Sequence, residues 1–318
     1  MRDYLFSGGL PLESGMPQLS RREFASLAAT AAAPLVFGQR AAAAIAAQDV
    51  IDRIKKNLGS EWKTDTVDGV KAGDPSIVLK GIVTTSMATL DVLQRAVKAD
   101  ANMVITAQPT FYSRTDAQTP PPPRGGGPAD AVAEPDRVFA AKAEFIKKNN
   151  LLVFRFSEHW RLRQPDPLAR GIAESLGWTR YQSPNDPLRF DVPALTLETL
   201  AASVKKNLES RGGIRVIGDP RTNVRRVGLL PGTTPIQAAL KMLPNVDAIV
   251  AGEVREWETA EYARDKVFAG AGKGLILVGR VVSEEPGMKV CADWLKTFVT
   301  EAPVRHIPAG DPYWRPAS

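Results

Sequence analysis

Apolar and polar positions along the chain follow two periods. Helix-like spacing marks Val50 to Leu58, and Leu90 to Lys98, Arg137 to Lys148, Leu168 to Leu176 and Leu197 to Leu208 also read as helices. Short β-branched or apolar runs predict strands over Ile77 to Thr85, Asn102 to Thr106 and Leu151 to Phe156. Thr89 stands where a side-chain cap would open the helix at Leu90. A second set follows, with strands over Ile214 to Ile217, Val224 to Leu230, Val246 to Ala251 and Gly274 to Val278. Its helices run over Pro235 to Met242, Glu256 to Lys266 and Gly287 to Val299. Such alternation predicts an α/β fold whose strands are mainly parallel and joined by right-handed crossovers.

The two sets share a unit. Leu79-Lys80-Gly81-Ile82-Val83 leads through a threonine and a helix to Asn102-Met103-Val104-Ile105. Arg226-Val227-Gly228-Leu229-Leu230 leads in the same way to Val246-Asp247-Ala248-Ile249-Val250. The expected organisation is therefore two similar β-α-β halves, residues 48–210 and 211–318. The first is interrupted by a Pro/Gly-rich loop at 117–135 with four consecutive prolines and three consecutive glycines.

Residues 1–47 read as an address. Ser20-Arg21-Arg22-Glu23-Phe24 precedes an alanine-rich run to Phe37, then Arg40 and small residues through Ala47. That layout predicts a twin-arginine export signal, a periplasmic or extracellular mature protein, and no membrane span after cleavage.

Composition narrows the chemistry. At 318 residues, 44% hydrophobic and 24% charged, the chain has the make-up of an ordinary soluble globular protein. Its net charge of +6 comes from 41 Lys and Arg against 35 Asp and Glu, too dispersed to predict a nucleic-acid partner. The single cysteine, Cys291, excludes an intramolecular disulfide and reads as a buried helix position. With two histidines, His159 and His306, a histidine-rich metal centre is out of reach. Ser157 and Ser283 lack the oriented imidazole a nucleophile needs. Gly125-Gly126-Gly127 lacks the strand-to-helix context of a phosphate loop.

In parallel sheets the working residues gather beyond the carboxyl ends of strands. Four ends qualify: Thr106-Ala107-Gln108-Pro109, Ser157-Glu158-His159-Trp160-Arg161, Ala251-Gly252-Glu253 and Gly279-Arg280-Val281-Val282-Ser283-Glu284-Glu285. At these ends the chain resembles the Nif-three-like dinuclear-metal-centre family, often labelled GTP cyclohydrolase I type 2, over most of residues 49–313. The family's Thr-His-His-Pro, or Thr-His-Glu-Pro continuing Thr-Phe-Tyr, matches Thr106-Ala107-Gln108-Pro109-Thr110-Phe111-Tyr112, with both ligand positions changed. Its second ligand-bearing turn matches Ser157 to Arg161, where His159 is the one imidazole. Its Thr-Gly-Glu appears as Ala251-Gly252-Glu253. Its Gly-His followed by Ser/Thr-Glu appears as Gly279-Arg280 followed by Ser283-Glu284, with arginine in place of histidine. The resemblance implies a Nif-three-like fold, a ring-shaped hexamer, and a two-metal site of which His159, Glu253 and Glu284 would be the residue.

Two divalent ions need roughly six to eight donors, and a guanidinium cannot be one. The cleft is expected to set Gln108, Glu158, Glu253 and Glu284 beside Arg114, Arg161 and Arg280, with Arg161 and Arg280 paired to Glu284 and Glu253. Two readings follow. In one, Gln108, Arg114, Arg161 and Arg280 hold a small anionic ligand with no cofactor; in the other, the chain is a non-catalytic assembling protein. The alternative is a metal-dependent hydrolase that keeps a reduced divalent-metal site.

Overall fold

The computed structural model describes residues 44–117, 137–314 and 316. The export signal expected over 1–47 lies outside the described residues up to position 43. The Pro/Gly-rich loop expected over 117–135 lies outside them from position 118.

Four strands are buried at every position: β2 (Ile82–Thr85), β3 (Met103–Thr106), β4 (Leu152–Arg155) and β10 (Gly274–Leu277). Short, mainly apolar strands with no exposed position suit sheets covered on both faces. With β1 (Gly69–Ala72) and β11 (Val304–His306), the first three form a five-stranded sheet in the order β1-β4-β3-β2-β11. Its pairs are parallel except β1 with β4. Alternate residues face opposite ways. Ile82, Met103, Ile105, Leu152 and Phe154 meet α1 (Ala47–Asn57) and the distal part of α9 (Arg280–Leu295). Val83, Val104 and Val153 meet α2 (Leu90–Lys98) and α3 (Arg137–Lys148). The Thr89 hydroxyl accepts the Val92 N–H at 3.2 Å, as the sequence predicts for the start of α2.

The second sheet runs β5-β6-β8-β9-β10-β7, where β5 is Gln182–Ser183, β6 Asp186–Thr196, β7 Arg215–Ile217, β8 Asn223–Thr233 and β9 Ala248–Glu253. Strands β8, β9 and β10 are parallel, while β5, β6 and β7 pair antiparallel at the flanks. The expectation of mainly parallel strands thus holds in the centre and fails at the edges. Strand β6 escapes the sequence pattern because Pro187 and Pro193 interrupt it. The register shift between Asp191 and Leu195 brackets Pro193, where a missing N–H is tolerated. One face of this sheet packs on α5 (Pro167–Ser175) and α6 (Leu197–Asn207), the other on α7 (Ile236–Met242) and α8 (Glu261–Phe268). The short α4 (Glu158–Leu162) joins β4 to α5.

The sheets do not divide at residue 210. Strands β5 and β6 join the second sheet from before it, and β11 returns to the first from after it. Three element bounds also shift. The first predicted strand shortens to Ile82–Thr85, because Ile77 to Leu79 instead pairs with the approach to α1 through Ala47 N–H to Ile77 O and Leu79 N–H to Ile45 O. The helix expected from Glu256 opens with one π turn, Glu256–Ala260, before α8. The last helix begins at Arg280 rather than Gly287, so Pro286 lies inside it. Proline suggests a boundary, and tertiary packing overrides it.

That packing is close contact between α5 and α9. A Cβ on Gly287 would lie 2.4 Å from Leu168 Cδ2 and 2.6 Å from its Cα, and one on Gly171 would lie 2.3 Å from the Pro286 carbonyl carbon. Gly287→Ala is therefore expected to destabilise by about 1–3 kcal/mol, read by urea denaturation.

Lys142 is a buried exception on α3. Its Nζ donates to Thr110 O at 2.5 Å and lies 4.9 Å from the Tyr112 ring centroid. Burial lowers its pKa from 10.5 to about 8, against the attraction of Asp116. Between these values the unfolded chain binds the extra proton, so stability rises with pH across about 8 to 10.5. Lys142→Met should flatten that rise in denaturation midpoints measured from pH 7 to 10.5.

Candidate functional site

The carboxyl ends of strands from both sheets converge near the start of α9. Gln108 follows β3, Arg161 sits on α4 after β4, Glu253 ends β9, and Arg280 and Glu284 are one turn apart on α9. Glycines make this approach possible. A Cβ on Gly252 would fall 2.2 Å from Gly232 O and 2.4 Å from Ser283 Oγ. One on Gly232, where φ is +77°, would fall 2.7 Å from Glu284 Oε1 and 3.4 Å from an Arg161 terminal nitrogen. Ser283 locks the junction: its Oγ accepts the Gly232 N–H at 2.9 Å and donates to Arg280 O at 2.7 Å. Its hydroxyl is thus committed to structure.

Glu284 is buried, and the Gln108 amide donates to both its oxygens at 2.8 and 2.7 Å. Arg280 lies on its other side. Its Nε is 3.6 Å from Glu284 Oε1, an ion pair beyond hydrogen-bond reach, and its Nη1 donates to Glu253 Oε1 at 3.2 Å. The Thr233 hydroxyl donates to that same Glu253 oxygen at 2.6 Å. Burial raises the Glu284 pKa, against Arg280, Gln108 and Arg161, which favour the carboxylate, while Glu253 pushes it further up.

Arg161 departs from the pairing expected of it. Its hydrogen-bonded carboxylate is Asp166, at 3.3 Å, which also caps α5 by accepting the Leu168 N–H at 2.8 Å. Asp166 is four residues before Arg170 and five after Arg161, nearer along the chain than either expected partner, and the turn between α4 and α5 brings it in first. Gln108, Trp160, Arg161, Arg280 and Glu284 line one cavity of about 100 Å³. Arg280 also borders a wider cleft of about 810 Å³.

Three other candidates lie apart. Arg114 is 84% exposed, and its ion-pair partner among the described residues is Glu158, at 3.9 Å. Glu158 accepts from the Thr66 hydroxyl at 2.9 Å. His159 is buried: its Nε2 accepts the Lys63 N–H at 2.9 Å, its Nδ1 is 2.8 Å from Asp68 Oδ2, and its ring stacks on Trp62 at 3.8 Å. Both ring nitrogens are engaged, so ligation would require giving up one of these bonds. His306 is likewise remote, with Nδ1 3.1 Å from Thr84 O and Nε2 3.3 Å from Glu285 Oε2. Burial raises Glu285 to about 7 and lowers His306 to about 4.

Sequence reasoning missed Asp68, Asp166, Trp160 and Thr233. Asp68 explains why the stretch after β4 is a helix: its carboxylate accepts the N–H groups of Ser157, Glu158 and His159 at 2.7, 3.2 and 2.8 Å. It sits some ninety residues away, which no local pattern reports. Asp166-Pro167 was the legible signal, an N-cap followed by proline.

No protein-family model and no curated protein matches the chain. Solved structures do. A Bacillus cereus protein related to NIF3 superposes with a TM-score of 0.64 at 12% identity, covering 86% of this chain and 99% of that one. The protein ybgI, of unknown function, gives 0.62 at 20% identity over 84% and 100%. A Staphylococcus aureus hypothetical protein gives 0.62 at 14% over 86% and 100%. The chain has the NIF3 fold.

The residues do not suit the two-metal centre that the family resemblance implies for this fold. Among the described residues no three of His, Cys, Asp and Glu group so as to hold a metal ion. Glu284 is occupied by an amide and faced by a guanidinium, which repels a dication and has no lone pair to give. The aspartate beneath α4 gives this NIF3-fold site its shape. Asp68→Asn should cost about 3 kcal/mol in urea denaturation, because the amide leaves several buried donors underpaired.

Proposed function

We propose that this chain is an exported, non-catalytic protein of the NIF3 fold that self-associates and binds a small anion where the family resemblance implies two metals. The supporting observation is Arg280, 3.6 Å from buried Glu284 and 3.2 Å from Glu253. A guanidinium keeps its proton, so this position carries a permanent positive charge that no chelator removes. Metal-dependent hydrolysis needs a bound dication to acidify water, and the described residues offer no group of three donors to hold one. What they do supply is two arginines beside one small cavity, the donor type best matched to oxyanions.

Export is supported by the Ser20-Arg21-Arg22-Glu23-Phe24 sequence before an alanine-rich run. No described helix is long and apolar enough to cross a membrane. Self-association, as the hexamer the resemblance implies, is supported by the exposed Trp257, Phe268, Tyr313 and Trp314, aromatic surface of the kind interfaces use.

Protein purified without chelators should carry substoichiometric zinc, manganese and iron by elemental analysis, and its melting temperature should rise with small anions but not with divalent metals. Arg280→Ala should abolish the anion effect. Stoichiometric metal that disappears in Glu284→Gln overturns the reading. The solution mass should be that of a hexamer, and Arg21→Lys with Arg22→Lys should retain the full-length chain in the cytoplasm on fractionation.

A further inference from the structure

We infer that the cavity bounded by Gln108, Trp160, Arg161, Arg280 and Glu284 binds one small planar oxyanion, a carboxylate or bicarbonate, and that the Trp160 indole N–H is one of its donors. This deepens the anion-binding reading above and rests on it.

Trp160 is 1% exposed, lines the cavity, and its Nε1–H is buried with no acceptor among the described residues. A buried donor left unpaired costs about 1–3 kcal/mol, and native proteins seldom leave one so. The nearby aromatics, Phe156 and Trp294, pack on its ring with centroids 5.5 and 5.2 Å away and present no acceptor in the ring plane that a carbonyl or carboxylate would provide. Arg280 shows the same deficit, since its Nε is buried and without a hydrogen bond. Two residues on different elements, each with a buried donor that makes no hydrogen bond, therefore line a single cavity.

Shape and size then select the ligand. The cavity wall carries two guanidinium groups and one carboxylate, and both Glu284 oxygens are already taken by Gln108. Asp166 and Glu253, which pair with the arginines, do not line it. The two guanidinium groups are already faced by three carboxylates, Asp166, Glu253 and Glu284, so it is the unfilled donors and not an excess of positive charge that mark the cavity as a ligand site. A cavity of about 100 Å³ has room for a few waters or one small ion. Formate, bicarbonate and acetate, with three or four heavy atoms, are of that size. Phosphate is larger, tetrahedral and partly dianionic at neutral pH. A planar anion also matches the planar guanidinium fork.

Calorimetric titration of the purified full chain at constant ionic strength, with sodium formate, acetate, bicarbonate, phosphate and chloride as separate arms, tests this. One planar ion per chain should bind, and the bicarbonate and carboxylate arms identify its source. The ¹⁵N–¹H indole signal of Trp160, assigned with Trp160→Phe, should move on binding. Trp160→Phe should weaken binding by about ten- to a hundredfold with folding retained by circular dichroism; should that variant not fold, the wild-type indole signals and Arg280→Lys still read the site. Planar ions that bind wild type and Trp160→Phe equally, leaving the indole signal unmoved, overturn the donor assignment. Phosphate binding alone, lost in Arg280→Ala, overturns this inference while sparing the broader reading. Binding of no anion overturns both.

Discussion

Glu284 is a carboxylate withdrawn from water, and the groups that make this tolerable come from separate parts of the chain. Gln108 arrives from the end of β3 in the first sheet, Arg280 from one turn earlier on α9, and Arg161 from α4. Through Arg280 the network continues to Glu253 and Thr233 of the second sheet. A buried carboxylate without such partners would be strongly unfavourable. The two sheets are thus held at one mutual distance by the need to satisfy a single buried charge.

The backbone is built to allow that distance. Gly232, Gly252 and Ser283 bring β8, β9 and α9 together, and Gly171 and Gly287 let α5 and α9 touch. Helix α9 contributes Met288, Cys291 and Leu295 to the core of the first sheet and Val282 to that of the second. One helix therefore sets the spacing of both cores and carries two of the site's charged groups. Chemistry and packing are inseparable here, because the helix that spaces the cores also places Arg280 against Glu284.

Much of the architecture is legible along the chain. The buried parallel strands are short, mainly apolar runs that end in threonine or arginine, and Thr89 caps α2 as its position requires. The repeated unit appears as β2 pairing parallel with β3 and β8 with β9. Strand β6 is not legible, since Pro187 and Pro193 carry a loop signal that only its pairing with β8 overrides. Nor is the start of α9, where Pro286 marks a boundary that packing against Gly171 ignores.

The site divides in the same way. The letters by themselves determine residue type: two imidazoles in the whole chain, and arginine at 280 where the family resemblance implies a ligand, because side-chain lone pairs are a property of residue type. Only tertiary structure decides which groups meet. It turns His159 inward onto Asp68 and Trp62, gives Arg161 to Asp166, and leaves the buried Trp160 N–H without an acceptor among the described residues. Hydrogen-bond and ion-pair partners are chosen by distance in space, and residues some ninety to more than a hundred positions apart become neighbours only when the strands that carry them pair.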